Sequence, residues 1–109
     1  MSVGLYKYLG SINDRNSKLI LSENIASQRF YEKYWEKAIK ELKIKYIQDG
    51  AEFGISEKET VLKELDLLLR WANTNLKCED LKYMKSRIEN LQKVILIELN
   101  DENDILYIF

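Results

Sequence analysis

The sequence predicts a mainly α-helical protein with three antiparallel helices, at about 23–48, 56–75 and 79–99, and short extended segments at its two ends. The chain of 109 residues contains no proline and four glycines, so few positions favour a sharp turn. Apolar residues recur at three- and four-residue steps in each of the three segments, as in a helix with one buried face. The length suits one core, so we expect residues 1–109 to form a single helical domain.

The first residues favour extended structure. Residues 3–10 suit a half-buried strand or an irregular arm, and residues 10–14 supply turn chemistry after them. After a short apolar run at 18–21, Ser22 offers a side-chain acceptor at which the first helix is predicted to begin. Gly50 suits the left-handed position that ends this helix. The predicted inward positions of the helix are Phe30, Tyr31, Tyr34, Trp35, Ala38, Ile39, Leu42 and Tyr46.

The second and third helices carry clearer local signals. Ser56 and Glu59 form a predicted capping box, in which each side chain accepts from the other residue's backbone N–H. Glu79 and Asp80 lie where the dipole of the third helix favours negative charge. The predicted inward positions are Val61, Leu62, Leu65, Leu68, Leu69 and Ala72 in the second helix, and Leu81, Met84, Ile88, Leu91, Val94 and Ile95 in the third.

The chain closes on an apolar run, I-L-Y-I-F at 105–109. Burying five such side chains contributes several kcal/mol at about 25 cal/mol per Å², so we expect this segment to dock on the helices. Whether it also pairs with the N-terminal segment as a small sheet stays open.

The composition indicates a protein of a reducing compartment. Cys78 is the single cysteine, so no disulfide can form within the chain, and we expect a cytoplasmic location. We expect neither an export signal nor a membrane span, because residues 1–10 lack a cationic segment followed by an apolar run and no stretch of about 18 residues is apolar throughout.

The residue types argue against catalysis. There is no histidine, the side chain that most often moves protons near neutral pH or binds transition metals. A lone Cys78 cannot form a zinc site, and without a partner base it is a poor nucleophile. Paired carboxylates remain a formal catalytic possibility. We therefore expect no enzyme activity, no metal and no cofactor.

Charge is divided along the chain. Up to Gln48 there are nine bases and five acids, and from Asp49 onward eight bases and thirteen acids. Lysines and aromatic residues alternate in the first helix, a pattern that could bind nucleic acid. Lys33, Lys37 and Lys40 repeat on their own face, however, so the aromatics are better explained as core. The pI of 5.6 also argues against nucleic-acid binding, because domains that bind nucleic acid are usually basic.

The acidic half suggests a surface for a basic protein. Carboxylates cluster at 98–104 without an intervening base, and others flank an aromatic residue at 49–53. Charge of this kind speeds encounter, while rings buried on binding supply affinity. A loop that only keeps the protein soluble is the alternative. The predicted contact set is Asp49, Glu52, Phe53, Glu98, Asp101, Glu102, Asp104 and Tyr107.

Three stretches, G-L-Y-K-Y-L-G at 4–10, Y-W-E-K-A-I at 34–39 and D-I-L-Y-I-F at 104–109, give the chain a resemblance in size and style to a known class. It resembles the small immunity proteins encoded beside bacterial polymorphic toxins, such as those of contact-dependent growth inhibition. The resemblance implies tight binding to a cognate toxin, often a nuclease, with acidic side chains in its basic site. Such families share neither fold nor binding residues, so the resemblance assigns no residue.

The first hypothesis is therefore a cytoplasmic immunity protein that binds a toxin with a basic surface and neutralises it. The alternative is a small helical nucleic-acid-associated or regulatory protein that uses the lysine face of the first helix. A third reading is a subunit that completes its fold in a homo-oligomer.

Overall fold

The structure, a computed structural model, describes residues 2–9 and 18–109. The predicted turn at 10–14 lies outside the described residues. The strands are β1 (Ser2–Leu9), β2 (Lys18–Ser27), β3 (Glu52–Gly54) and β4 (Ile105–Ile108). The helices are α1 (28–42), α2 (Lys58–Asn75) and α3 (Cys78–Glu98), with one 3₁₀ turn at Ile55–Glu57 before α2.

The prediction of a mainly helical three-helix protein is wrong, because the described strands form a four-stranded antiparallel sheet in the order β2-β1-β4-β3. The fold is therefore mixed α/β, with the helices against one side of the sheet. The sequence left open whether the N-terminal and C-terminal segments pair. They do, because β1 and β4 are neighbouring strands in the middle of the sheet. Apolar side chains of these strands complete a core that the helices alone would leave open.

The first helix is shorter than predicted at both ends. Residues 23–27 belong to β2, and the cap is Ser27 rather than Ser22, since the Ser27 hydroxyl accepts from the backbone N–H of Phe30 at 3.3 Å. The helix ends at Leu42, where Lys43 adopts a left-handed conformation with φ of 57°. Pairing with β1 holds β2 extended, and that long-range contact overrides the helical pattern.

α1 contains a π-helical turn at Tyr31–Trp35. Such turns admit one extra residue and shift the faces of the helix on either side. Both Tyr31 and Trp35 are buried, as predicted, and their rings stack with centroids 6.5 Å apart.

The other two helices follow the predicted pattern closely, with fully buried side chains at most of the predicted inward positions. The predicted pairing of Ser56 with Glu59 does not form. Instead Glu57 reaches back, and its Oε1 accepts the backbone N–H of Gly54 at 3.3 Å.

Residues 43–51 form an irregular segment that is hydrogen-bonded to a side chain of α2. The prediction of helix as far as residue 48 is therefore wrong for this stretch. The carboxylate of Glu64, which is 7% exposed, accepts three consecutive backbone N–H groups, from Lys45 at 2.7 Å, Tyr46 at 2.9 Å and Ile47 at 3.1 Å. The segment thus finds its hydrogen bonds on a side chain instead of in a helical ladder. It leads directly into β3, the edge strand beside β4.

None of the described helices is both long enough and apolar enough to span a bilayer.

Candidate functional site

The two sides of the sheet differ sharply. Val3, Leu5, Leu106 and Ile108 point toward the helices and are fully buried. Because neighbouring residues of a strand point to opposite sides, the residues between them face away from the helices. These outward positions carry a cluster of aromatic side chains that are half-buried or exposed. We call this surface the open face and define it by Tyr6, Tyr8, Tyr107 and Phe109.

The rings of the open face pack against one another. Tyr6 and Phe109 stack with centroids 4.5 Å apart, and Tyr8 meets Tyr107 edge-on with centroids 6.0 Å apart. Gly4 makes the first contact possible, because a Cβ at this position would lie 2.6 Å from the Tyr6 hydroxyl. The Tyr6 ring therefore lies over the bare backbone of Gly4. Each ring is held by a neighbour, which lowers the entropy lost when a partner covers the surface.

Carboxylates line the edge of the sheet next to the open face. Asp49 and Glu52 line a shallow cleft of about 370 Å³, and Glu52, Glu57 and Glu102 line a second cleft of about 360 Å³. Hydrogen bonds from the Ser56 hydroxyl and the Gly54 N–H hold the pKa of Glu57 below its ordinary value. We call these four carboxylates the acidic edge.

Glu52 joins the acidic edge to the open face. In the sheet it is the direct cross-strand neighbour of Tyr107, which in turn pairs with Tyr6. Partial burial, and then the nearby Glu52 carboxylate, raise the pKa of the Tyr107 phenol above its ordinary value. An anionic carboxylate and a neutral aromatic ring therefore lie side by side at the surface.

The predicted contact residues separate into different environments. Asp49, Glu52, Glu102 and Tyr107 lie together on this surface. Phe53 does not, because its side chain is 1% exposed and packs into the core against Tyr46.

Glu98 and Asp104 are already engaged inside the protein. Lys7 of β1 lies 3.5 Å from the Glu98 carboxylate and 3.0 Å from Asp104. Asp104 also accepts the backbone N–H groups of Asn100 and Asp101, and these bonds with Lys7 hold the pKa of its carboxyl below the ordinary value. Asp101 is exposed and accepts the N–H of Asn103 in the same turn. This turn connects α3 to β4, and only part of its charge is free for a partner.

Tyr6, Tyr8 and Phe109 were absent from the predicted contact set. The signal that could have found them is the two-residue alternation in 3–8 and 105–109, which puts aromatics on the side opposite the aliphatic residues. Sequence reasoning placed β4 on the helices but did not ask which of its side chains would remain outside.

The lysine face of α1 presents exposed amines, while the rings of this helix are buried or half-buried. Lys33, Lys37 and Lys40 are exposed, whereas Tyr31 and Trp35 are buried. The remaining aromatics of α1, Phe30 and Tyr34, are half-buried; the Phe30 ring packs edge-on against Tyr83, with centroids 4.6 Å apart. Tyr31 and Trp35 are therefore unable to stack on a single-stranded nucleic acid, and of the rings of α1 only the half-buried Phe30 and Tyr34 could do so.

Cys78 is exposed at the start of α3. Across residues 2–9 and 18–109, no group of three or more His, Cys, Asp or Glu side chains is arranged to hold a metal ion.

Comparison with protein-family models, curated proteins and solved structures finds no match for this chain.

Proposed function

We propose that this chain is an immunity protein that acts in the cytoplasm and binds a cognate toxin domain. We propose further that this toxin domain is a nuclease. It would block the basic active site or substrate surface of that domain. The observation that carries the proposal is the cross-strand pair of Glu52 and Tyr107, which makes the acidic edge and the open face one continuous surface.

The two parts of this surface have complementary roles in binding. The carboxylates of Asp49, Glu52 and Glu102 are exposed, so they attract a basic protein over about a Debye length, ~8 Å at physiological salt. Tyrosines are enriched among the residues that dominate binding energy, because they bury a large ring and keep a polar hydroxyl. Charge would therefore set the association rate and the rings the lifetime of the complex.

The inhibition would be steric and electrostatic. A nuclease binds phosphates with lysine and arginine side chains, and a surface of fixed carboxylates can occupy the same positions. No covalent step is required.

The test uses the toxin domain encoded in the neighbouring open reading frame. The purified chain is added to that domain, and nuclease activity and association kinetics are measured at low and high salt. Inhibition at equimolar ratio, with association slowed by salt, supports the proposal. A neighbouring product that neither binds this chain nor loses activity would overturn it.

A matched pair of variants assigns the effect to the acidic edge. The triple reversal D49K, E52K and E102K should slow association by about tenfold or more, in line with electrostatic steering. The control reversal E32K, E79K and E89K changes the net charge equally at exposed helical positions outside the acidic edge and should leave the rate nearly unchanged.

A further inference from the structure

We propose that Glu52 and Tyr107 together bind one arginine side chain of a basic protein partner. The guanidinium stacks on the Tyr107 ring and pairs with the Glu52 carboxylate. This inference rests on the proposed function only in requiring a basic protein as partner.

The sheet register creates the site. One row of cross-strand neighbours runs over all four strands, from Ser22 through Tyr6 and Tyr107 to Glu52. Side chains of directly opposed residues on adjacent strands lie about 5 Å apart at Cβ. A flat group lying on the Tyr107 ring is therefore within reach of the Glu52 carboxylate.

The Tyr107 ring is pre-positioned. On the side toward β1, the Tyr107 ring contacts Tyr8 edge-on and has Tyr6 as its cross-strand neighbour. On the side toward β3, its cross-strand neighbour is Glu52. Beyond it, Ile105 is 40% exposed and Phe109 is 46% exposed, so an approaching partner also covers apolar surface. A guanidinium bound at the centre of such a patch is shielded from water, which strengthens its interactions.

The Glu52 carboxylate is available to a cation of a partner. Among the described ion pairs, Glu52 takes part in none. Lys45 lines the same cleft as Glu52, but its Nζ lies over the ring of Tyr46, 5.4 Å from the centroid. Lys7, the single lysine of β1, is engaged with Glu98 and Asp104 on the other side of the sheet.

The same charge argues against a second copy of this chain as the occupant. The outward residues of β1, β3 and β4 include the Glu52 carboxylate and no base. Two such faces packed together would bring carboxylates into an apolar interface without a cation, which is costly.

Arginine fits better than lysine. Its planar guanidinium stacks on an aromatic face and at the same time donates in fork geometry to a carboxylate. A lysine ammonium is a strongly hydrated point charge and gains less from the ring. The site is therefore expected to discriminate between two cations of equal charge.

The experiment measures this discrimination with two defined probes, a nona-arginine and a nona-lysine peptide, titrated into the full chain by calorimetry. The arginine peptide should bind more tightly than the lysine peptide. E52Q and Y107L should each weaken arginine binding by about tenfold, equivalent to about 1.4 kcal/mol, and bring the two peptides level. Y107F keeps the ring and should retain the preference.

E89Q is the charge-matched control and should change arginine binding by less than twofold, since Glu89 is exposed on α3, away from the sheet edge. Circular dichroism checks that each variant is folded; if Y107L is not, E52Q and Y107F carry the test. Equal affinity for the two peptides, or an equal loss in E89Q, would rule the arginine site out.

Two further outcomes separate this inference from the proposed function. If the chain inhibits its toxin domain and E52Q and Y107L inhibit equally well, the arginine site fails and the immunity function stands. If the arginine preference is found but the neighbouring toxin is not bound, the site stands and the function fails. A dimer in a dilution series that Y107L converts to a monomer would show that a second copy covers the face, which contradicts the inference.

Discussion

The Lys7 ammonium lies 3.0 Å from Oδ1 of Asp104. It also donates a hydrogen bond of 2.9 Å to the backbone carbonyl of Glu98, which is 91 residues further along the chain. These contacts tie β1 to the turn before β4. They also neutralise part of an acidic cluster that is unbroken by any base in the sequence. The charge available to a partner is therefore shifted toward the β3 edge and Glu52.

This arrangement predicts a pH dependence for D104N. The native pKa of Asp104 is lowered, first by the N–H of Asn100 and then by Lys7, so the carboxylate stabilises the fold above the ordinary aspartate pKa. That contribution is lost as the pH falls through the lowered native value. D104N should be less stable than the natural chain at pH 7, and urea unfolding should show the difference shrinking below about pH 4. E89Q is the control, and a D104N deficit that stays constant to low pH would contradict the assignment.

Substitution of Glu64 should destabilise the protein strongly. In the native protein Oε2 accepts the N–H of Lys45, and Oε1 accepts those of Tyr46 and Ile47. An amide keeps one acceptor oxygen but sets its NH₂ group against the N–H donor or donors on the other side. We expect E64Q to lower the free energy of unfolding by about 2 kcal/mol or more. E59Q, at an exposed ion pair with Lys63, should change it by well under 1 kcal/mol. Chemical denaturation measures both, and equal effects would exclude the proposed role of Glu64.

The end of α1 can be stabilised by a glycine. Lys43 has a φ of 57°, and a non-glycine residue in this conformation costs about 1 kcal/mol. We expect K43G to raise the free energy of unfolding by up to that amount. K40G, three residues earlier inside the helix, should lower it by about 1 kcal/mol. Thermal melts of the two variants should shift in opposite directions; a destabilised K43G would show that its side chain matters more than its backbone.

Gly4 is predicted to control the open face. A Cβ at Gly4 would lie 2.6 Å from the Tyr6 hydroxyl and 2.8 Å from the ring carbon that bears it, so G4A should push Tyr6 off Phe109. We expect a changed near-UV circular dichroism spectrum and weaker binding of the basic partner. In G54A the new Cβ would meet the Asp104 carbonyl oxygen at an ordinary 3.6 Å, so this control should leave the near-UV spectrum unchanged. An unaltered spectrum in G4A would mean that the stack does not depend on the glycine.

The sequence predicted those elements whose pattern is local. The faces of α2 and α3 followed from periodicity, because a helix buries the stripe that its own residues define. Docking of the C-terminal run was expected from its apolar side chains, but Leu106 and Ile108 are buried while Ile105 and Phe109 are 40% and 46% exposed. The same reasoning failed at residues 23–27 and 43–48. There the choice between helix and another conformation depends on β1 for the first stretch and on Glu64 for the second, and neither partner is adjacent in sequence.

The sequence predicted some residues of the candidate site but not how they are arranged. Glu52 and Tyr107 were named from charge and residue type, but their position as cross-strand neighbours was beyond the sequence, since they are separated by two helices. Phe53 was named for its aromatic ring. The strand alternation that puts Glu52 outside puts Phe53 inside.

By itself the sequence determined the inventory of the molecule: one cysteine, no histidine, an acidic second half and two helices with unmistakable apolar faces. The tertiary structure alone decided which residues meet. Antiparallel pairing of β1 with β4 forms a sheet whose outer side carries aromatic residues. Lys7 pairs with Glu98 and Asp104, two of the acids that the sequence predicted to be free for a partner. The physical reason is that the residue type determines which groups a side chain can bind. Strand pairing between residues far apart in sequence determines which of those groups lies close enough to bind it.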